Sequence, residues 1–244
     1  MGSYKRESAS AKREIRRTIG VGSAADALGL ITPGCEIFCV TKGDFSLVDA
    51  IVHCLDATGP ADVTISTWTA ANAELGFAHR LLSDGKIASL RFIVDFSFPV
   101  RQPAYCAALR ERFGDESVRL TKNHAKFVLI RNAAWSLVIR TSMNLNENRR
   151  MESIEISDCP KMAEHLGDLC AAMFAEYAPG KQFDQRPYEN TVDFERFLAP
   201  HIDQATAETA ALQGDRGRYF GAGVYATDVR RAGWSSAKTG RGLD

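Results

Sequence analysis

The chain has 244 residues, enough for one sizeable α/β domain with or without an appendage, and its 45% hydrophobic and 25% charged residues are those of an ordinary globular protein. Thirty basic residues balance thirty acidic ones, so no global field announces a polyanionic partner, although a local basic cleft within a neutral chain can still attract phosphates. No run of about 18 apolar residues is present, which argues against a membrane-spanning helix.

Residues 1–22 read as a loosely held, partly helical basic leader carrying Lys5, Arg6, Lys12, Arg13, Arg16 and Arg17, without the apolar core of a secretory signal. From Gly34 onward strand and helix signals alternate. Glu36–Thr41 is rich in β-branched and aromatic residues and is expected to be a strand. Ser46–Leu55 follows with helical spacing of Leu47, Ile51, Val52 and Leu55. Val63–Trp68 and Ser89–Phe98 are expected strands, each followed by a helix, at Ala70–Leu82 and Pro103–Phe113. Such alternation specifies an α/β fold with a mixed, largely parallel sheet flanked by helices.

After Gly114 the rhythm changes to closely spaced strands at Ser117–Thr121, His124–Ile130 and Trp135–Ser142, with a further one at Met151–Ser157. The four polar or small residues 131–134 suit a hairpin connection. Pro160–Tyr177 is an amphipathic helix with Met162, Leu166, Leu169, Met173 and Phe174 on its apolar side. Domain limits follow as 1–22 for the leader, 23–180 for the catalytic domain, and 181–244 for a helical extension ending in a Gly- and Arg-containing tail. The six cysteines show no metal-ligand spacing and lie mostly in apolar runs, as reduced buried thiols of a cytoplasmic protein do. No metal and no cofactor is expected.

The chemistry concentrates in Asn123–Ile156. In a strand His124 and Lys126 point to one side, and the next strand aligns Ser142 with Asn144 by the same period of two. A hairpin pairing Arg131 with Trp135 would set His124 opposite Ser142 and Lys126 opposite Arg140, gathering the four at one end of the ribbon. Phe127–Ile130 and Leu137–Ile139 are continuous apolar runs, as in strands buried on both faces. Alone, each half is weak: a His-x-Lys arises by chance, and Thr-Ser-x-Asn is a common turn or cap.

Together they resemble the HKD motif of the phospholipase D superfamily: His-x-Lys, four residues, Asp, about six residues, then Gly-Ser-x-Asn. His124, Lys126, Ser142 and Asn144 match it. Arg131 stands at the Asp position, Thr141 stands at the Gly, and the hairpin is about three residues longer. The resemblance implies a phospholipase D-like fold and a metal-independent phosphodiesterase, most readily an endonuclease acting on DNA. It implies a phosphohistidine at His124 and oxygen-binding donors at Lys126, Asn144 and Ser142. Glu152 falls where family members often carry an acid that orients the histidine; read without the family, it is equally an exposed strand-edge carboxylate.

The chain holds a single copy of the motif, and the family solves that shortage by homodimerisation, which sets two half-sites face to face. Lys122, Arg140, Arg149 and Arg150 are candidates for lining a nucleic-acid cleft, although a solvated charge is the commoner role for any one of them. Trp68 and Trp135 could stack bases or sit in the core. No amphipathic loop suggests stable membrane association. Two other functions compete: a non-catalytic, dimeric DNA-binding module with a decayed site, and a lipid phosphodiesterase.

Overall fold

A computed structural model describes residues 13–17, 22–146, 149–176 and 179–183, all within the compact unit Met1–Phe197; the second unit, Leu198–Asp244, and nearly all of the expected C-terminal extension lie outside the described residues. In chain order the elements are β1 (Glu14–Arg17), α1 (Ala24–Leu28), β2 (Glu36–Thr41), α2 (Leu47–Thr58), β3 (Ala61–Thr67), α3 (Asn72–Ser83), β4 (Ile87–Asp95), α4 (Phe98–Arg101), α5 (Pro103–Phe113), β5 (Val118–Thr121), β6 (Phe127–Arg131), β7 (Ser136–Thr141), β8 (Glu152–Asp158) and α6 (Pro160–Glu176).

Local chemistry sets several boundaries. Ser46 and Asp49 form a reciprocal capping box at the start of α2: the Ser46 hydroxyl accepts the Asp49 amide, and the Asp49 carboxylate accepts the Ser46 amide. Pro103 opens α5, where a missing N–H costs nothing. Gly114 ends α5 at φ 76°, a conformation that a residue with a Cβ resists.

The strands form one eight-stranded mixed sheet in the order β1-β2-β8-β7-β6-β3-β4-β5. Among the described residues the parallel pairs are β1/β2, β3/β4 and β4/β5, and the antiparallel pairs are β2/β8, β8/β7, β7/β6 and β6/β3. The sheet is therefore mixed, as expected, but not largely parallel. The meander β6-β7-β8 inserts between β2 and β3, and each of its short connections forces antiparallel pairing. Glu14–Arg17, expected in a loose and partly helical leader, instead adds a strand alongside β2. Its Arg13 bonds Glu36 and reaches Glu155 at 2.9 Å.

Both faces of the sheet are covered. Val63, Ile65, Val94, Val128, Ile130, Leu137 and Ile139 pack into the larger core with Leu28 of α1, Leu47 and Ile51 of α2, Leu75 of α3 and Leu109 of α5. Ile93, Phe127, Leu129 and Val138 turn the other way, onto Ala163, Cys170 and Met173 of α6. The apolar runs of β6 and β7 thus read as they do because water reaches neither face. Phe92, fully buried, sits 4.9 Å from the Phe113 ring and contributes about 2–3 kcal/mol by removal from water.

All six cysteines are free thiols. Burial pushes Cys106 up to about 11 and Cys170 up to about 12, so both are inert at neutral pH. No helix among the described residues is long and apolar enough to cross a membrane.

The register of the β6-β7 hairpin differs by one residue from the expected one: Arg131 pairs with Ser136 and Phe127 with Arg140. Asn132 decides this. Its side-chain oxygen accepts the amides of Ala134 (2.9 Å) and Trp135 (3.0 Å), and its backbone N–H donates to the Trp135 carbonyl (3.1 Å). The turn therefore consumes Asn132–Trp135 and leaves Trp135 out of the ladder.

Candidate active site

The parallel strands β2, β3, β4 and β5 end at Thr41, Thr67, Asp95 and Thr121, and this carboxyl edge also receives the start of β6, the end of β7 and the start of β8. Clefts in open α/β sheets form at that edge. The motif residues gather there, although not as alternating residues of two strands. His124 and Lys126 lie in the loop before β6, and Ser142 and Asn144 lie just past β7. Backbone pairing reaches Lys126 through the Thr141 amide, which donates to the Lys126 carbonyl at 3.1 Å, and Ser142 through its own amide, which donates to the Ser153 carbonyl at 3.0 Å. With the observed register an extended ribbon would have split the four residues between faces; the loops bring them to the same edge instead.

The loop before β6 is held by Asn123, which is buried. Its amide donates to the Ser66 hydroxyl (3.0 Å) and the carbonyls of Thr67 (3.2 Å) and Ile93 (3.3 Å), and its oxygen accepts the Ala125 amide at 2.9 Å. Its backbone N–H donates to the buried Asp95 at 3.1 Å. Flanked by these anchors, His124 is left exposed, with its ring 6.1 Å from Trp68. The Lys126 ammonium donates to the His124 carbonyl at 3.1 Å.

The loop after β7 is held from below. The Leu145 amide donates to the Thr69 carbonyl (3.2 Å), and the Leu145 carbonyl accepts the Ala71 amide (2.8 Å). Ser142 accepts the Ser153 amide at 2.9 Å and donates its hydroxyl to Glu152 in a short hydrogen bond. Asn144 carries a buried side-chain oxygen with no hydrogen-bond partner among the described residues.

Charge is arranged around Lys126. Burial lowers its affinity for the proton from the ordinary 10.5, while the nearby Glu152 carboxylate raises it. Stability follows the sign: the buried charge is a cost at low pH, relieved as pH rises toward the unfolded value. Replacing Glu152 with Gln removes the supporting charge, so Lys126 loses its proton at lower pH. The alkaline limb of kcat/KM is expected to move to lower pH in that variant, as a pH–rate profile would read; an unmoved or upward-shifted limb would separate Glu152 from Lys126.

The four outlying cations are placed differently. Arg140 is engaged by Glu155, its cross-strand partner on β8, which also receives Arg13. Lys122 is exposed in the connection from β5 to β6. Arg149 and Arg150 are exposed in the segment that leads into β8. Trp135 packs partly buried against the larger core.

Arg131, at the position where the motif has Asp, ends β6 far from His124, across five strand residues or roughly 15 Å. Its guanidinium lies against Gly167 of α6, where a Cβ would come within 2.5 Å of Nη1. The substitution therefore removes no atom from the carboxyl edge. Sequence reading missed Asn123 and Asp95. Asn123 had only its adjacency to His124 as a signal; Asp95 had an acid closing an apolar strand.

No family model and no curated protein matches this chain. Among solved structures it is similar to a polyphosphate kinase from Porphyromonas gingivalis, at 12% identity and a TM-score of 0.44 over 72% of this chain and 31% of that one. It is also similar to Nuc from Salmonella typhimurium, described as a phospholipase D family member, at 15% identity and a TM-score of 0.38 over 59% of this chain and 97% of that one. NucT from Helicobacter pylori matches at 12% identity and a TM-score of 0.40, over 59% of this chain and 99% of that one. The chain thus spans about a third of the polyphosphate kinase and nearly all of the two shorter proteins. Nuc is described as belonging to the family that Asn123–Ile156 resembles.

Proposed function

We propose that this chain is a phospholipase D-type phosphodiesterase half-site, hydrolysing nucleic-acid phosphodiester bonds, DNA foremost, without a metal and at a homodimer interface. The observation that carries the reading is the gathering of exposed His124, desolvated Lys126 and Asn144 at the carboxyl edge of one sheet. A phosphodiester repels nucleophiles through its own charge, so its nonbridging oxygens need fixed donors. Lys126 supplies a cation and Asn144 an amide N–H donor. Ser142, with its proton committed to Glu152, holds the loop and the carboxylate that supports Lys126.

In the reaction an imidazole nitrogen of His124 forms a bond to phosphorus while the bond to the leaving oxygen breaks. His124 of the partner subunit protonates that oxygen, then takes a proton from the water that releases the phosphoryl group. One chain holds one such histidine, and an isologous dimer supplies the second.

Two exposed apolar side chains, Val100 (66%) in α4 and Met151 (80%) directly before β8, favour lipid phosphodiesters as a second reading. Two such residues make a small foothold on a membrane. The deciding experiment incubates the dimer in excess EDTA with single-stranded DNA, double-stranded DNA and mixed phospholipid micelles. Cleavage of DNA is expected. Cleavage of lipid alone transfers the site to the second reading, and DNA binding without cleavage makes the chain a binding module.

A further inference from the structure

Beside the motif stands a cation that the motif does not include. Arg101 closes α4, and its guanidinium carbon lies 3.7 Å from the centroid of the Trp68 ring, a close cation–π stack. The same Trp68 ring lies 6.1 Å from His124, so the guanidinium and the imidazole share one aromatic neighbour. Arg101 is exposed, yet it is not loose. Its Nη2 donates to the Trp68 carbonyl at 3.0 Å and its Nε to the Ser97 hydroxyl at 2.8 Å.

That second bond enters a network. Ser97 donates its amide (3.0 Å) and its hydroxyl to one oxygen of Asp95, whose other oxygen accepts the Asn123 amide. Asp95 therefore ties the turn carrying Arg101 to the loop carrying His124. Fully buried Phe98 pins the first residue of α4 beneath them, and Gln102 accepts the Thr69 hydroxyl at 2.6 Å on the other side. Arg101 donates two directed hydrogen bonds and stacks on a ring, so its planar guanidinium is held in one orientation.

We infer that Arg101, held on Trp68, binds a second anionic group of the substrate, next to the phosphodiester attacked by His124. The inference rests on the proposed phosphodiesterase and narrows its substrate class. A site with an added cation that shares an aromatic neighbour with the nucleophile is built for a polyanionic chain with successive phosphates, such as an oligonucleotide strand. A phospholipid that presents a single diester has nothing to offer it. Trp68 is the support that aims the guanidinium.

The test compares wild type with Arg101→Ala and Arg101→Lys on single-stranded oligothymidylate and on bis(p-nitrophenyl) phosphate. In Arg101→Ala the ratio of kcat/KM for the oligonucleotide to that for the small diester is expected to fall about tenfold, mainly through KM. Arg101→Lys should recover part of it. In a second measurement the oligonucleotide is bound by His124→Ala protein with and without Arg101→Ala, followed by fluorescence anisotropy. The added substitution should weaken binding about tenfold and reduce the slope of log affinity against log salt by about one.

An unchanged ratio with unchanged binding overturns the inference and leaves the phosphodiesterase standing. Equal losses of kcat on both substrates also overturn it, assigning Arg101 to holding the His124 loop. Arg101-dependent binding by a wild type that cleaves neither substrate reverses the outcome: the catalytic reading fails, and the anion site remains.

Discussion

A His124→Ala variant is expected to fold and dimerise like the wild type and to lose on the order of 10^4-fold or more in kcat/KM on any phosphodiester it cleaves. The loss is large because the imidazole has two duties in the dimer, nucleophile from one subunit and proton donor from the other. Stability should change little, since the His124 side chain is exposed and the loop is held by Asn123 and Asp95.

Mixing the two proteins after subunit exchange reads the dimer directly. If both histidines serve one site, mixed dimers are inactive, and activity falls as the square of the wild-type fraction. A linear fall would mean that each subunit works alone, and retained activity in the pure variant would remove His124 from the chemistry.

Asn123→Leu is expected to cost about 3 kcal/mol of stability, or roughly 10 °C in Tm, although leucine has the same branching and the same heavy-atom count. The substitution takes a partner from the inward carbonyls of Thr67 and Ile93 and from the Ala125 amide, and leaves the Ser66 hydroxyl only its own bond to the Ala125 carbonyl. Activity should fall with it even where the protein is fully folded, because the Ala125 anchor fixes the backbone beside His124. Asn123→Asp supplies an internal check: its carboxylate would face two carbonyls and Asp95, so that variant should gain stability as pH falls and its side chain regains a proton to donate. Thermal melts at neutral and mildly acidic pH measure both effects; a variant as stable as the wild type would show that the network is dispensable.

The distribution of these effects follows what the chain alone could convey. Strand β2 and helix α5 match their expected limits, and α2, α3, β7 and α6 differ from theirs by three residues or fewer at either end, because burial on one or two faces writes its period into the residues. The proposed site drew notice in Asn123–Ile156 because His124, Lys126, Ser142 and Asn144 are unusual at the rim of so apolar a ribbon. Where the sequence fell short, the reason was a contact between residues far apart in the chain or a choice made by one turn.

The hairpin register is the sharpest case. Apolar runs buried on both faces look alike after a slip of one residue, so the pattern in β6 and β7 is silent on pairing, and the Asn132 turn decides it. The sheet's balance of parallel and antiparallel pairs depends on where a meander inserts, which no local period records. Glu14–Arg17 looks like a solvated leader until β2 offers it a parallel edge.

Residue types and their spacing thus determined the fold class, the two-sided core and the side chains proposed for the site. Tertiary structure alone decided the register, the loops that carry the site and the Asp95 link between His124 and Arg101, because directional hydrogen bonds across 28 residues of sequence leave no periodic trace.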